Sequence, residues 1–202
     1  MNIMVSFDEI RELLAENRSY RRFDAGRPVE REMLEELVGL TRFCASGRNL
    51  QPLRYRIVNT KEECEAFYPL LKWAGYYTDW NGPEAEERPT AYLVQCLDTE
   101  LTGNCMCDDG LQLEAITLGA VSRGLRGVII KSFNVPETAK LLEIPERYKP
   151  LYVLALGYPC LKEHILIKDT DGNTNADIRY YHDAEGNHVV PKRPLKELII
   201  GY

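Results

Sequence analysis

Three cations and a hydroxyl crowd into the run Arg18-Ser-Tyr-Arg-Arg-Phe23. Guanidinium forks match the oxygens of a phosphate, and Ser19 could donate one further bond to it. The run reads either as a phosphate grip or as a solvated basic loop. A second cluster is Ala45-Ser-Gly-Arg-Asn-Leu-Gln-Pro52. Ser46, Arg48, Asn49 and Gln51 offer more hydrogen-bonding capacity than a connection needs, although Gly and Asn also suit a plain helix-to-strand turn. A third lies where the apolar stretch Leu125–Ile130 runs into Lys131 and Ser132. The carboxyl ends of strands commonly present main-chain N–H groups to a ligand crevice. The fourth is the pair Lys192-Arg193, just ahead of Pro194 and the apolar residues Leu195, Leu198, Ile199 and Ile200.

Cys105 and Cys107 form a C-x-C, but His164, His182 and His188 all lie far downstream. A metal site usually needs a second such pair or nearby histidines, so these thiols are expected to pack and no metal site is expected.

Elements must position these groups, and their pattern is readable. Ser6 and Glu9 have capping-box spacing ahead of an amphipathic helix that ends near Glu16, with Phe7, Ile10, Leu13 and Leu14 on one face. A second helix should follow Pro28, carrying Met33, Leu34, Leu37 and Val38, its period continuing to Thr41 or Arg42. Tyr55 and Ile57 alternate with Arg54 and Arg56 as in a half-buried strand. Thr60 and Glu63 box a third helix with Cys64, Phe67, Leu70 and Leu71. Residues 73–89 have no period, and an irregular stretch of that length is usually functional or mobile. Thr90–Leu97 reads as a strand, Asp108 to Arg123 as a long apolar helix with Asp108 and Asp109 at its positive end, and Gly124 as its stop. A buried strand over Leu125–Ile130, a short helix opened by Pro136 and an apolar strand over Leu151–Leu156 complete this part. Ile165–Ile167 and Ala176–Val190 suggest strands around the turn Asp183-Ala-Glu-Gly-Asn187. With no repeat and no linker, residues 1–202 read as one α+β domain with a hairpin insertion over 165–190.

The bulk numbers bound the partners. A chain of 202 residues with a net charge of −6 does not favour nucleic acid, which needs concentrated Lys and Arg. No apolar stretch fits a bilayer span or an N-terminal signal peptide, and with six cysteines taken as reduced thiols the expected location is cytoplasmic.

Taken together, the four clusters resemble the nitroreductase family of FMN-dependent oxidoreductases. That family follows its first helix with R-R-S-x-R-x-F, here Asn17-Arg-Ser-Tyr-Arg-Arg-Phe23, and then shows P-S-x-x-N-x-Q-P, here Ala45 to Pro52. An acidic start to the central helix (Asp108, Asp109), a G-x-x-x-G-L helix end (Gly119 to Leu125), an L-G-Y-P strand end (Leu156 to Pro159) and the basic C-terminal pair continue the series. The likeness covers roughly residues 6–160 and 190–200. Asn17 stands for the family's first Arg and Ala45 for its Pro, so the phosphate would lean on Arg18, Arg21 and the C-terminal pair.

The resemblance implies a nitroreductase-like fold: a central mixed or antiparallel sheet flanked by helices, with a C-terminal tail wrapping the partner subunit of a homodimer. It implies FMN, its phosphate on Arg18, Ser19, Arg21, Lys192 and Arg193. The polar edge of the ring would meet Ser46, Arg48, Asn49 and Gln51, and the Lys131–Ser132 strand end would reach flavin N5 through the main-chain N–H of Lys131. The flavin then carries the chemistry and no catalytic side chain is required. No G-x-G-x-x-G follows a strand, so NAD(P)H is expected to stack on the flavin, leave, and make room for a nitroaromatic, quinone or similar acceptor in a ping-pong scheme. Trp73, Tyr76, Tyr77 and Trp80 would border that pocket or simply pack a loop. Two alternatives are a flavin-binding protein without turnover and a specialised branch of the family, dehalogenating or flavin-destroying.

Overall fold

The computed structural model describes residues 5–170 and 177–201. By its contacts the chain divides into two compact units, Met1–Trp73 with Gly82–Cys160, and Ala74–Asn81 with Leu161–Tyr202.

The first unit is built on a four-stranded antiparallel sheet in the order β1-β2-β4-β3, from β1 (Leu53–Val58), β2 (Ala91–Asp98), β3 (Arg126–Ile130) and β4 (Tyr148–Gly157). Every residue of β2 is buried. A strand buried on both faces needs a cover on each. One cover is α2 (Arg31–Gly39) with α4 (Asp108–Ser122). Their Leu34, Leu37, Leu113, Ile116 and Ala120 close on Ile57, Leu93, Leu154 and Leu156. On the other face Phe67, from α3 (Lys61–Phe67), meets Tyr92 edge-on at 5.2 Å, and α5 (Val135–Leu141) packs near β4. Each fully buried leucine or phenylalanine stabilises this core by roughly 1.5–3 kcal/mol.

The sequence signals locate most ends. Helix α1 (Phe7–Glu16) opens on the expected capping box, Ser6 Oγ accepting from Glu9 N at 3.2 Å and Glu9 Oε2 from Ser6 N at 2.7 Å. Helix α4 stops where Gly124 turns left-handed at φ +75°, with Leu125 N donating to Ala120 O at 2.9 Å. The period read through Thr41 continues as a tighter 3-10 turn, Leu40–Phe43, rather than as more α-helix. Its Leu40 lies so near α4 that a Cβ on Gly119 would stand 2.3 Å from Leu40 Cδ1. Helix α1 buries none of its residues, and Phe7 is 79% exposed.

The second unit holds a three-stranded sheet, β5-β7-β6, from β5 (Ile165–Asp169), β6 (Tyr181–His182) and β7 (His188–Lys192). The expected hairpin is present as β6 and β7, while β5 joins β7 in parallel. Ala176, the start of the strand read from sequence, lies outside the described residues. In the turn, Asp183 Oδ1 accepts from Asn187 N at 2.8 Å and Oδ2 from Asn187 Nδ2 at 2.9 Å. These bonds, the Asn187 side chain first, hold the Asp183 carboxyl below the usual range. The short α6 (Leu195–Leu198) closes the tail, with Leu198 and Ile200 exposed.

Candidate functional site

The loop Ser46–Gln51 is the most constrained backbone in the first unit. Arg48 and Asn49 both sit at φ 55° and Gln51 at φ 48°. Left-handed backbone is uncommon for residues with a Cβ, costs on the order of 1–3 kcal/mol each, and persists only where the surroundings enforce it. The enforcing group is Asp108, the first residue of α4, which is 1% exposed. Its Oδ2 accepts from Ser46 Oγ at 2.6 Å and its Oδ1 from Gly47 N at 2.9 Å. Ser46 Oγ in turn accepts from Gln51 N at 2.9 Å, so one carboxylate closes the whole loop. The side chains of Arg48, Asn49 and Gln51 are left exposed, Gln51 Nε2 donating to Asn49 Oδ1 at 3.2 Å.

Sequence reading gave Asp108 only a role in the helix dipole. Its carboxylate caps nothing in its own helix. Nothing in the spacing of Asp108 from Ser46, 62 residues apart, announces the contact.

The basic run lies along the edge of the sheet. Ser19 bridges to Gly127 of β3, Tyr20 N donates to Gly127 O at 3.1 Å, and Phe23, wholly buried, bridges to Pro159. Arg18 Nε donates to Asn17 O at 2.7 Å and Arg21 Nη1 to Ser19 O at 3.0 Å. Arg18 is half-buried and makes no ion pair among the described residues. Asn17, where the resembling pattern has Arg, turns instead to α4, donating to Glu114 Oε1 at 3.1 Å and Thr117 Oγ1 at 2.9 Å. Thr117 is nine residues from Asp108, about 13 Å along the helix at 1.5 Å per residue. The basic run and the Ser46–Gln51 loop thus meet α4 at separate stations.

Strand β3 is an edge strand, and alternation fixes which of its main-chain groups face outward. Gly127 O faces the basic run, so Ile129 presents its N–H and C=O on that same outer side, and Lys131 follows directly after the strand's last residue. Ser132 is engaged elsewhere, its carbonyl accepting from Lys72 N at 2.9 Å. Lys131 Nζ donates to Tyr152 Oη at 3.1 Å, and chiefly this bond, with Asp109 and Cys105 nearby, raises its pKa and keeps it a cation. Lys131 and the loop therefore stand toward one end of α4.

The remaining candidates belong to the second unit or to the core. Lys192 is exposed at the end of β7, and Arg193 Nη1 donates to Glu197 Oε2 at 2.8 Å. Tyr76, Tyr77 and Trp80 join Tyr180, His182 and His188; the sequence reading weighed the two histidines only as metal ligands and passed over Tyr180, although the aromatic run Tyr180-Tyr-His182 signals it. Tyr77 stacks on His182 at 4.6 Å, shares a 2.5 Å hydrogen bond with His188 Nδ1, and meets Trp80 edge-on at 6.2 Å. Trp73 is apart from this group, buried in the first unit and tilted against Tyr68 at 5.7 Å.

All six cysteines are free. Burial, then Asp109, pushes the Cys105 thiol above its ordinary pKa, the opposite of an activated thiolate. No group of three or more potential metal ligands occurs among the described residues. Replacing Cys105 or Cys107 by Ser is therefore expected to leave turnover within about twofold. Steady-state rates per bound flavin check this, and a tenfold loss in folded protein would restore a redox role.

The groups present fit FMN. A half-buried Arg18 without an ion pair among the described residues, beside the Ser19 hydroxyl, suits a phosphate, and an open strand edge with an enforced polar loop suits the hydrogen-bonding rim of a flat heterocycle.

The family model described as Nitroreductase family matches residues 14–91. A nitroreductase family protein from Streptococcus pneumoniae TIGR4 is similar with a TM-score of 0.63 at 16% identity, over 75% of this chain and 90% of that one. One from Clostridium novyi NT gives 0.63 at 19% identity, over 74% and 85%. The NADPH:FMN oxidoreductase from Vibrio harveyi, solved with NAD+, gives 0.58 at 25% identity, over 74% and 68%. No curated protein matches the chain by sequence.

Proposed function

We propose, on a likeness to the nitroreductase family in sequence over residues 14–91 and in fold, that the chain is a member of that family and an FMN-dependent oxidoreductase using NAD(P)H to reduce nitroaromatic, quinone or similar small acceptors. The observation that carries the reading is the Ser46–Gln51 loop: three left-handed residues are maintained by a buried carboxylate, with their polar side chains presented outward. Strain of that kind is kept where a ligand uses it.

FMN, when bound, supplies the two-electron carriage between NAD(P)H and the acceptor. The protein's part is holding and shielding. Arg18, Ser19 and Arg21 would hold the phosphate, and the resemblance assigns Lys192 and Arg193 to the same charge. Arg48, Asn49 and Gln51 would meet the polar rim of the ring. The main-chain N–H of Lys131, just past the end of β3, would donate to the ring, and its ammonium would add a positive field that favours negative charge there. Tyr76, Tyr77 and Trp80 would offer faces to an aromatic acceptor.

The same reading includes a homodimer with two flavin sites at its interface. It is supported by apolar surface that a lone chain leaves wet: Phe7, Ile10 and Leu14 of α1, Phe43, and the tail residues Leu195, Leu198, Ile199 and Ile200. The separate stations of the basic run and the loop on α4 also suit a flavin shared by two chains.

Arg18→Ala or Arg193→Ala should each weaken FMN binding by roughly 1.5–3 kcal/mol, as for one charge-assisted hydrogen bond. Fluorescence titration of the apoprotein with FMN, and with riboflavin as the phosphate-free control, measures it. Unchanged FMN affinity in both variants would place the phosphate elsewhere.

A further inference from the structure

We propose that the first unit carries a second ligand site, for a small organic anion: a carboxylate on a short apolar body. The site is a cavity of about 380 Å³ that none of the flavin-directed residues lines. Its walls include Ala25 and Pro28 after the basic run, Cys64 of α3 with the Lys61–Glu65 ion pair beside it, and Ala85, Arg88 and Tyr92 on and ahead of β2. The volume falls in the range of small-molecule pockets, and most of these walls are apolar.

Two polar atoms in those walls lack partners among the described residues. Tyr92 is wholly buried, and its hydroxyl has no hydrogen bond. Arg88 Nε is buried and likewise unbonded. An unsatisfied buried polar group costs about 1–3 kcal/mol, and natural folds seldom keep two in the walls of one cavity without a reason.

Charge points the same way. The Arg88 guanidinium lies 3.9 Å from the centre of the Tyr68 ring and makes no ion pair among the described residues. The carboxylates around it are otherwise engaged or in solvent. Glu87 takes Arg22 at 2.5 Å, Glu65 takes Lys61 at 3.9 Å, and Glu84 and Glu86 are exposed. Tyr68 Oη donates to Pro83 O at 2.8 Å and accepts from the Arg88 guanidinium, whose Nε is left over. Cys64 donates to Thr90 O at 3.4 Å, and burial pushes its thiol up to about 12, so it serves as neutral wall and not as nucleophile. A carboxylate accepts from both a guanidinium and a phenol, while the alanines, proline and thiol accommodate its apolar body.

The test uses the full-length protein loaded with FMN, labelled with ¹³C at alanine methyls, and hexanoate as the probe with 1-hexanol as its uncharged control. Hexanoate should shift the Ala25 and Ala85 methyl signals saturably at millimolar concentration, and hexanol should not. Arg88→Met should raise the dissociation constant at least tenfold. Tyr92→Phe, which removes one oxygen and keeps the core shape, should raise it severalfold, and FMN content should stay constant in both. Unmoved Ala25 and Ala85 signals, equal binding of hexanol, or wild-type hexanoate affinity in Tyr92→Phe would each overturn the site. If Arg88→Met fails to fold, the Tyr92→Phe result decides. None of these outcomes bears on the flavin reading, which stands on other residues.

Discussion

Asp108→Ala should lower FMN affinity by a hundredfold or more. The carboxylate of Asp108 accepts from Ser46 Oγ and Gly47 N, at 2.6 and 2.9 Å, inside the fold. Each such bond to a buried charge is worth about 1.5–3 kcal/mol, and removing the acceptor strands two donors at once. Released from it, the loop no longer holds Arg48, Asn49 and Gln51 left-handed, because that backbone is uphill for all three. They relax, and their side chains lose the common orientation a flavin rim requires. A loss near 3 kcal/mol corresponds to about a hundredfold in affinity. Asp108→Asn retains one acceptor oxygen and should fall between Ala and wild type. Flavin titration reads binding and thermal unfolding reads the fold. A variant less stable yet still tight for FMN would make Asp108 a packing residue and nothing more.

Truncation after Lys196 is the second large effect, with dimer and FMN expected to disappear together. It removes Leu198, Ile199 and Ile200, of which Leu198 is 66% and Ile200 105% exposed in the single chain. Side chains so apolar are seldom left in water in a run of this kind, and a partner subunit would cover them. If each flavin site draws on both chains, mass action couples the two losses. Light scattering with absorbance on the same sample shows both. A shortened protein that stays dimeric and yellow would separate the tail from the interface.

The elements of the first unit were legible because local rules set them. The capping box at Ser6, Gly124 after α4 and the apolar strand around Leu154 each announce themselves within a few residues. The order β1-β2-β4-β3 was not legible, since pairing across the sheet leaves no local mark. The site divides in the same manner. The polar runs were visible as runs, whereas the Asp108 clamp spans 62 residues and the left-handed angles of Arg48, Asn49 and Gln51 break the local preference for glycine. In the second unit the hairpin followed from Asp183 to Asn187, but the parallel partner β5 did not. Trp73 and Tyr76 looked alike in sequence, yet Trp73 is core and Tyr76 belongs to the aromatic group around Tyr180. Burial, not residue type, separates them.

The central claim is a bound flavin that turns over, and one sample decides it. Protein purified without added cofactor is placed under argon, its visible spectrum recorded, and NADH or NADPH added before the flavin is released by heat and identified. The account predicts a yellow protein bleached by at least one of the two nucleotides and releasing FMN, not FAD. Colourless protein that FMN cannot reconstitute, or a bound flavin that neither nucleotide bleaches, would contradict it.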